Sequence, residues 1–412
     1  MKNIKTYRGA ACACCIGCIC QAVAANLIPL FFVIFSEIYN LSVSDLAVIV
    51  LCGFMAQMVS DTFAGMFCDK IGAKFSGIIA HVFIFTGLIL LGILPEFVSD
   101  ESVYPCLIAA VSVTQTGAGL IEVLVNPLMD SLPRGEHSSA MRFSILHSFC
   151  SIGQIMVIIF TFLSLCFIDD KNWTLIPVAW ALLPFINSIF FCMASFPEPG
   201  ENSEDYGEKQ EYAGKGKRGG LILILFIIGC GGAAEQGIAQ WISAYAESTL
   251  SIFKFAGDLL GPCIFAALMG TSRMLYGIYG KRISLCKAML FSGSGAALCY
   301  IIAGFSGHPI LSLTACSFTG FFVGLMCPGA FALASRLFPG GGTKISGKLA
   351  LFGDIGCAVG PWAVGAVSSV AGLNTGFMFA SLYPLFFSAA VDRKSTRLNS
   401  SHSRASRMPS SA

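Results

Sequence analysis

Runs of about twenty mostly apolar residues follow one another from residue 10 to residue 391, and no other feature narrows the fold as much. Twelve are recognisable, near 10–36, 44–66, 75–95, 104–131, 140–167, 174–196, 220–247, 257–280, 284–305, 308–337, 345–371 and 374–391. A helix needs about 20 apolar residues to cross the hydrocarbon of a bilayer. The runs do not alternate residue by residue, as the strands of a membrane barrel would. Charged residues make up only 12% of the chain and hydrophobic ones 55%, against about 25% charged in a soluble domain. The expectation is an all-α membrane protein with the lipid bilayer as its solvent. A net charge of +2 says nothing about nucleic acid, but no basic, aromatic-laced patch appears, so no nucleic-acid partner is expected. The basic start MKNIKTYRGA leads into a run too long for the core of a signal peptide, so it reads as a retained first helix.

Between the sixth and seventh runs lies FPEPGENSEDYGEKQEYAGKGKRGG, a charged, Gly-rich stretch with almost no large apolar residues. It reads as a solvated linker. The expected organisation is a six-helix bundle over 1–196, a linker over 197–219 and a second six-helix bundle over 220–391. Seventeen Lys and Arg residues then fall on the side of the N-terminus, and only Lys171 and Lys254 on the other. That asymmetry places both termini in the cytoplasm. The halves echo each other: GLIEVLVNP from Gly119 matches GFFVGLMCP from Gly320, and HSFCSIG matches DIGCAVG. Six plus six with internal echoes suggests a duplicated unit, common in secondary transporters. From Asp392 the sequence DRKSTRLNSSHSRASRMPSSA abandons hydrophobicity abruptly and resembles one translated frame of a sequencing-library adapter. Residues 392–412 are therefore read as a non-native tail, with the twelfth helix truncated.

Five of the 18 cysteines, Cys12, Cys14, Cys15, Cys18 and Cys20, crowd the first run. Helical geometry spreads them around the axis with no His nearby, so they serve as small apolar residues. No metal or cofactor is expected. GTKISGKL from Gly342 approaches a phosphate loop but ends in Leu349 where Ser or Thr is needed, and no strand precedes it. With no catalytic motif and no encoded energy source, the chain is not expected to be an enzyme or a primary pump.

After the second run comes GMFCDKIGAK. Its Gly65, Asp69, Lys70, Gly72 and Lys74 resemble the motif between helices two and three of the major facilitator superfamily, with Ala73 displacing one basic position. Glycines there let helices approach closely, and Asp69 suits a cation or a helix N-terminus, so the stretch is expected to act as a cytoplasmic gating latch. GLIEVLVNP resembles the Glu-x-x-x-Asn-Pro pattern on helix four of fucose-permease-like members. LHSFCSIGQ, EQGIAQWISAYAES, GDLLGPCIFAALMGTSRMLYG and GDIGCAVGPW are similar to later helices of the same bacterial sugar branch. The resemblance implies a bacterial inner-membrane protein, monomeric, with a solute site near the bilayer midplane between two halves. It also implies an acidic residue on helix one, where this chain offers only Gln21 and Asn26.

A charge near the bilayer centre costs roughly 3 kcal/mol and normally faces a bundle interior or water. Glu122, with Asn126 one turn on, Glu235, Arg273 and Asp354 are such groups. Glu122 and Glu235 either exchange protons or pair permanently with Arg273 as struts. Gln236 and Gln240 share a helical face, and Trp241 beside them suits a sugar ring or simple packing. Asp61 is assigned to the latch. His81, Gln115, His147, Gln154 and Asn187 are lesser candidates. The function expected is proton symport of a small polar solute, a sugar or a relative. The alternatives are a proton-coupled exporter of drug-like molecules and a transporter-like sensor.

Overall fold

The computed structural model describes residues 7–132, 138–169, 172–196, 215–242, 245, 254–338 and 341–405. Most of the expected linker lies outside them. The described residues contain helices and no strand. Among the described residues, ten helical segments are long and apolar enough to cross a membrane. The chain divides into two compact units. One comprises Met1–Tyr212 with Ala334–Asp354, the other Ala213–Leu333 with Ile355–Ala412. Residues 334–354, expected in the second bundle, group with the first unit.

In the first unit α1 (Arg8–Asn26) ends just before Pro29, whose missing N–H interrupts the ladder. A 3-10 turn over Ile28–Phe31 and a short α2 (Phe32–Tyr39) follow. Phe31, Phe35 and Tyr39 gather around the fully buried Trp173, with ring centroids 5.0 to 6.5 Å from it. Then come α3 (Val43–Ile71), α4 (Ala73–Phe97), α5 (Asp100–Ser131), α6 (Ser139–Phe167) and α7 (Leu175–Met193). The main packings are α3 and α4 on α5, α4 on α7, and α1 on α6.

Helix α3 carries the membrane logic most plainly. Leu51, Met55, Val59 and Phe63, four residues apart, are each more than half exposed. On the opposite face Gln57 and Asp61 are buried. Residues four apart share a helix face, so α3 turns an apolar stripe outward and a polar stripe inward. That is the reverse of a helix in water and fits a lipid-facing surface.

At its start, Ser42 and Asp45 form a reciprocal capping box. Ser42 donates backbone N–H (2.9 Å) and hydroxyl (2.6 Å) to Asp45 Oδ2, and Asp45 N–H donates to Ser42 Oγ (3.2 Å). The Ser42 hydroxyl and backbone N–H hold the Asp45 carboxyl below the usual carboxylate range. A depressed folded value means the cap's contribution is complete above about pH 4 and is lost as pH falls through the lower, folded value. Acid titration should therefore speed hydrogen exchange at Asp45 and Leu46 well before the helix interior. An Asp45→Asn variant should lose that pH dependence.

The second unit contains α8 (Lys215–Ala239), α9 (Lys254–Tyr279), α10 (Leu285–Phe305), α11 (Pro309–Val323), the earlier part of α12 (Met326–Leu337), the later part of α13 (Gly342–Ala371), α14 (Leu373–Ala380) and α15 (Leu382–Ala405). The central packings are α9 and α10 on α11, and α8 and α10 on α15. The expected spans are recognisable, with four differences. The first span is interrupted by the 3-10 turn over Ile28–Phe31. The tenth is broken at Gly324–Leu325 into α11 and α12. The twelfth is broken at Ser381. The seventh leaves regular helix after Ala239, so Gln240 and Trp241 sit in a turn. The backbone does not change at Asp392, where composition does: α15 runs through it to Ala405.

Candidate functional site

Polar residues of α3 at Gln57, Asp61 and Asp69, with Gly65 between them on the same four-residue spacing, line the contact with the first half of α13 within the first unit. At the outermost contact Asp69 Oδ1 accepts the N–H of Thr343 (3.3 Å), at the N-terminus of α13. A carboxylate there satisfies an orphan donor and complements the helix dipole. Gly65 follows: a Cβ on it would lie 3.3 Å from the Thr343 carbonyl and 3.4 Å from the Gly347 Cα. Gly72 ends α3 and begins α4 at φ +94°, a backbone that L side chains rarely adopt. Lys70 lies 5.8 Å from the Phe67 ring centroid, and Lys74 is exposed. Of the two partners expected for Asp69, the structure uses the helix N-terminus. Asp69→Ala should cost about 1 kcal/mol, the size of a lost cap, and raise hydrogen exchange at Thr343 and Lys344.

Deeper along the same contact is the polar cluster. Glu122 on α5 accepts from Gln21 Nε2 on α1 (2.7 Å) and Gln57 Nε2 on α3 (3.1 Å). Gln57 Nε2 also meets Asp354 Oδ1 (3.3 Å) and Oδ2 (3.1 Å) on α13. Asp61 is fully buried beside Glu122 and Asp354. Its Oδ1 would lie 2.7 Å from a Cβ placed on Gly119, so the glycine leaves it room. Asp61, assigned to the latch, lies on the same α3–α13 contact as Asp69 and deeper along it. It lies two turns of α3, about 12 Å, from Asp69. Any two ionised carboxylates about 4 Å apart repel by roughly 4 kcal/mol at an effective dielectric near 20. Three carboxyls around two amides make this the most charge-sensitive place in the unit. One turn beyond Glu122, Asn126 is buried. Its Nδ2 points to the Glu122 carbonyl (3.4 Å), and its Oδ1 accepts from His147 Nε2 (3.1 Å).

Other candidates are structural ties. His81 Nδ1 donates to the Gly77 carbonyl (2.6 Å), and its Nε2 accepts from Asn187 Nδ2 (2.7 Å), which also reaches the Ala13 carbonyl (3.1 Å). These bonds tie α1, α4 and α7 together. The sequence reading missed Arg142 except as a positive charge. Its guanidinium caps the end of α5 through the carbonyls of Met129 (2.6 Å), Leu132 (3.0 Å) and Asp130 (3.1 Å), and it pairs with the Asp130 carboxylate (3.0 Å). Asp130 in turn accepts from Ser139 and Ser335.

In the second unit Arg273, 3% exposed, donates Nη2 to Glu235 Oε2 (3.1 Å) and Nε to the Gly324 carbonyl (2.9 Å). Gly324 sits at the break between α11 and α12, where the regular ladder is interrupted. Arg273 thus joins three elements. Glu235 and Arg273 form the strut that was one of the two expected arrangements. Trp241 Nε1 donates to the Pro361 carbonyl (3.0 Å), and its ring lies over Gly365, where a Cβ would come 2.6 Å from it. The packing role is therefore the one in which Trp241 is found. Gln236 is half-buried on α8, whereas Gln240 is exposed in the turn.

The family model described as Major Facilitator Superfamily matches residues 13–361. The chain belongs to the Major Facilitator Superfamily. Among solved structures, this superfamily member is similar to FucP, a transporter in the outward conformation, at 16% identity over 94% of this chain and 99% of that one, with a TM-score of 0.78. It is also similar to the proton:xylose symporter XylE bound to a bromodeoxyglucose, at 14% identity over 94% and 95% of the two chains, with a TM-score of 0.75. A third relative in structure is the human organic anion transporter MFSD10, at 12% identity over 93% and 99%, with a TM-score of 0.72. At such identities the likeness establishes the fold. A comparison with curated proteins finds no match. The protein is a multi-pass membrane protein of a transporter family, and the stretch from Gly65 to Lys74 covers the end of α3 and the start of α4.

Proposed function

We propose that this protein is a secondary active transporter that moves a small polar solute, a sugar or sugar-like polyol, together with protons by alternating access. The observation that carries the reading is the Glu122 carboxylate held by Gln21 and Gln57 in the interior of the first unit. A carboxyl in a membrane protein's interior is suited to exchange a proton, and the Gln21 and Gln57 amides can stay bonded to it in either state. The same amides offer the donors and acceptors that hydroxyl groups use. Glu235 is not needed for coupling, since Arg273 engages it. Two structurally similar proteins are sugar:proton symporters, FucP of fucose and XylE of xylose, which supports this solute class.

The test uses the full chain in proteoliposomes with a panel of labelled sugars and a pH-sensitive dye inside. The expected result is counterflow of at least one sugar, with acidification of the lumen when that sugar is added outside. Solute-driven alkalinisation would instead make it an antiporter. Binding without counterflow would make it a sensor.

A further inference from the structure

Two acids beside Glu122 have no part in the reading above. Asp61 is fully buried, and neither of its carboxyl oxygens has a hydrogen-bond partner at ordinary distance and angle. Its carboxyl lies against that of Asp354, with Glu122 acting on it from α5. Asp354 is 6% exposed and takes a shared amide from Gln57. That amide has two hydrogens and faces three carboxyl oxygens, Glu122 Oε2 and both of Asp354. A buried carboxylate with no donor is the costliest state such a group can take. A carboxylic acid that gives its O–H to a neighbouring carboxylate avoids that state.

We propose that Asp61 and Asp354 bind one proton between them, with the Asp61 O–H donating to the Asp354 carboxylate, and that this proton fastens α3 to the first half of α13. The placement supports it. From Asp69 with Thr343, through Gly65 with Gly347, to Gln57 with Asp354, the two helices meet along one antiparallel stripe. Asp61 lies inside that stripe. Its backbone carbonyl stands 2.8 Å from where a Gly347 Cβ would be, so the helices are too close there for a side chain to separate two charges. Release of the proton to water changes the pair from −1 to −2 and sets two carboxylates against each other at the tightest crossing. Uptake of one proton reverses it, and no other atom is exchanged.

The charged surroundings are few. Glu122 faces the pair from α5. On α13 the next charges, Lys344 and Lys348, lie toward the Asp69 end, Lys344 with its backbone against Gly65. Helix α4 carries charge only at its ends, Lys74 and Glu96, and its His81 is bonded to Gly77 and Asn187. The site supplies a second acid near Glu122, from α3 and α13, where α1 has Gln21. It rests on the transport reading for its use, while its existence is testable without any solute.

The experiment is infrared titration of the full chain in lipid bilayers, in the Glu122→Gln background so that Glu122 contributes nothing. From about pH 5 to about pH 9, the interval in which buried carboxyls titrate, a carboxylic-acid C=O band should disappear. Adding Asp61→Asn or Asp354→Asn should each remove that band at every pH. Asn is isosteric with the protonated acid, and the two variants test the pair independently. In parallel, hydrogen exchange over 343–349, corrected for its intrinsic pH dependence, should rise by about tenfold or more across the same titration. It should stay flat with Asp61→Asn. A band that persists in both Asn variants, or an exchange profile unchanged by them, overturns the proposal. Failure of sugar counterflow with the band intact would remove the transport reading and leave the proton site standing.

Discussion

Glu122→Gln is expected to abolish proton-driven accumulation while leaving solute exchange measurable. The substitution keeps the shape and one carbonyl acceptor for Gln21 or Gln57, whose amides lie 2.7 and 3.1 Å from the carboxylate. It removes the only property needed for coupling, the ability to take and release a proton. The neutral amide also weakens one charge-assisted contact, worth about 1.5–3 kcal/mol, so counterflow should fall by about 10- to 100-fold at most. Accumulation should collapse to the equilibrium ratio. The two readouts separate coupling from architecture. If the variant still concentrates solute against its gradient, Glu122 is a structural group. If exchange is lost along with accumulation, its role is to hold Gln21 and Gln57 in place. Glu122→Asp retains a titratable group but shortens the reach to both amides, and should restore part of the coupling.

Helix existence was legible because it depends on one local quantity, the length of an apolar run, and the bilayer imposes a single threshold on it. The breaks were harder to read. Gly324 and Ser381 interrupt helices whose composition is uniform across the break, and the interruption at Gly324 depends on Arg273, fifty-one residues away, taking the freed carbonyl. Trp241 shows the same limit. Beside two glutamines in sequence it looks like a sugar platform, yet its ring is spent on Gly365 and its N–H on Pro361, both on α13. The depth of Asp61 had a local sign. Gln57, Asp61, Gly65 and Asp69 are four apart on one helix, opposite the exposed stripe of Leu51, Met55, Val59 and Phe63. That spacing puts Asp61 on the buried face. The joining of Asp354 to Gln57 across 297 residues had no local sign at all.

Arg273→Ala should produce the largest loss of stability in the second unit. Arg273 is 3% exposed, and it engages the Glu235 carboxylate at 3.1 Å and the Gly324 carbonyl at 2.9 Å. Removing one member of a buried ion pair costs about 3–5 kcal/mol, because the remaining charge stays desolvated. For a domain of this size each kcal/mol shifts the melting midpoint by about 2–4 °C, so a fall of roughly 6–20 °C is expected in detergent-purified protein. The graded variants identify the cause. Arg273→Lys keeps the charge but has a single ammonium for two acceptors that the guanidinium reaches with separate nitrogens, and should fall between. Glu235→Gln combined with Arg273→Met removes both charges, and should recover most of the loss caused by Arg273→Ala alone. Equal destabilisation of the single and double variants would mean that the Gly324 carbonyl, and not the ion pair, is what Arg273 sustains. The broken helix, α11 into α12, would then be the element that depends on it.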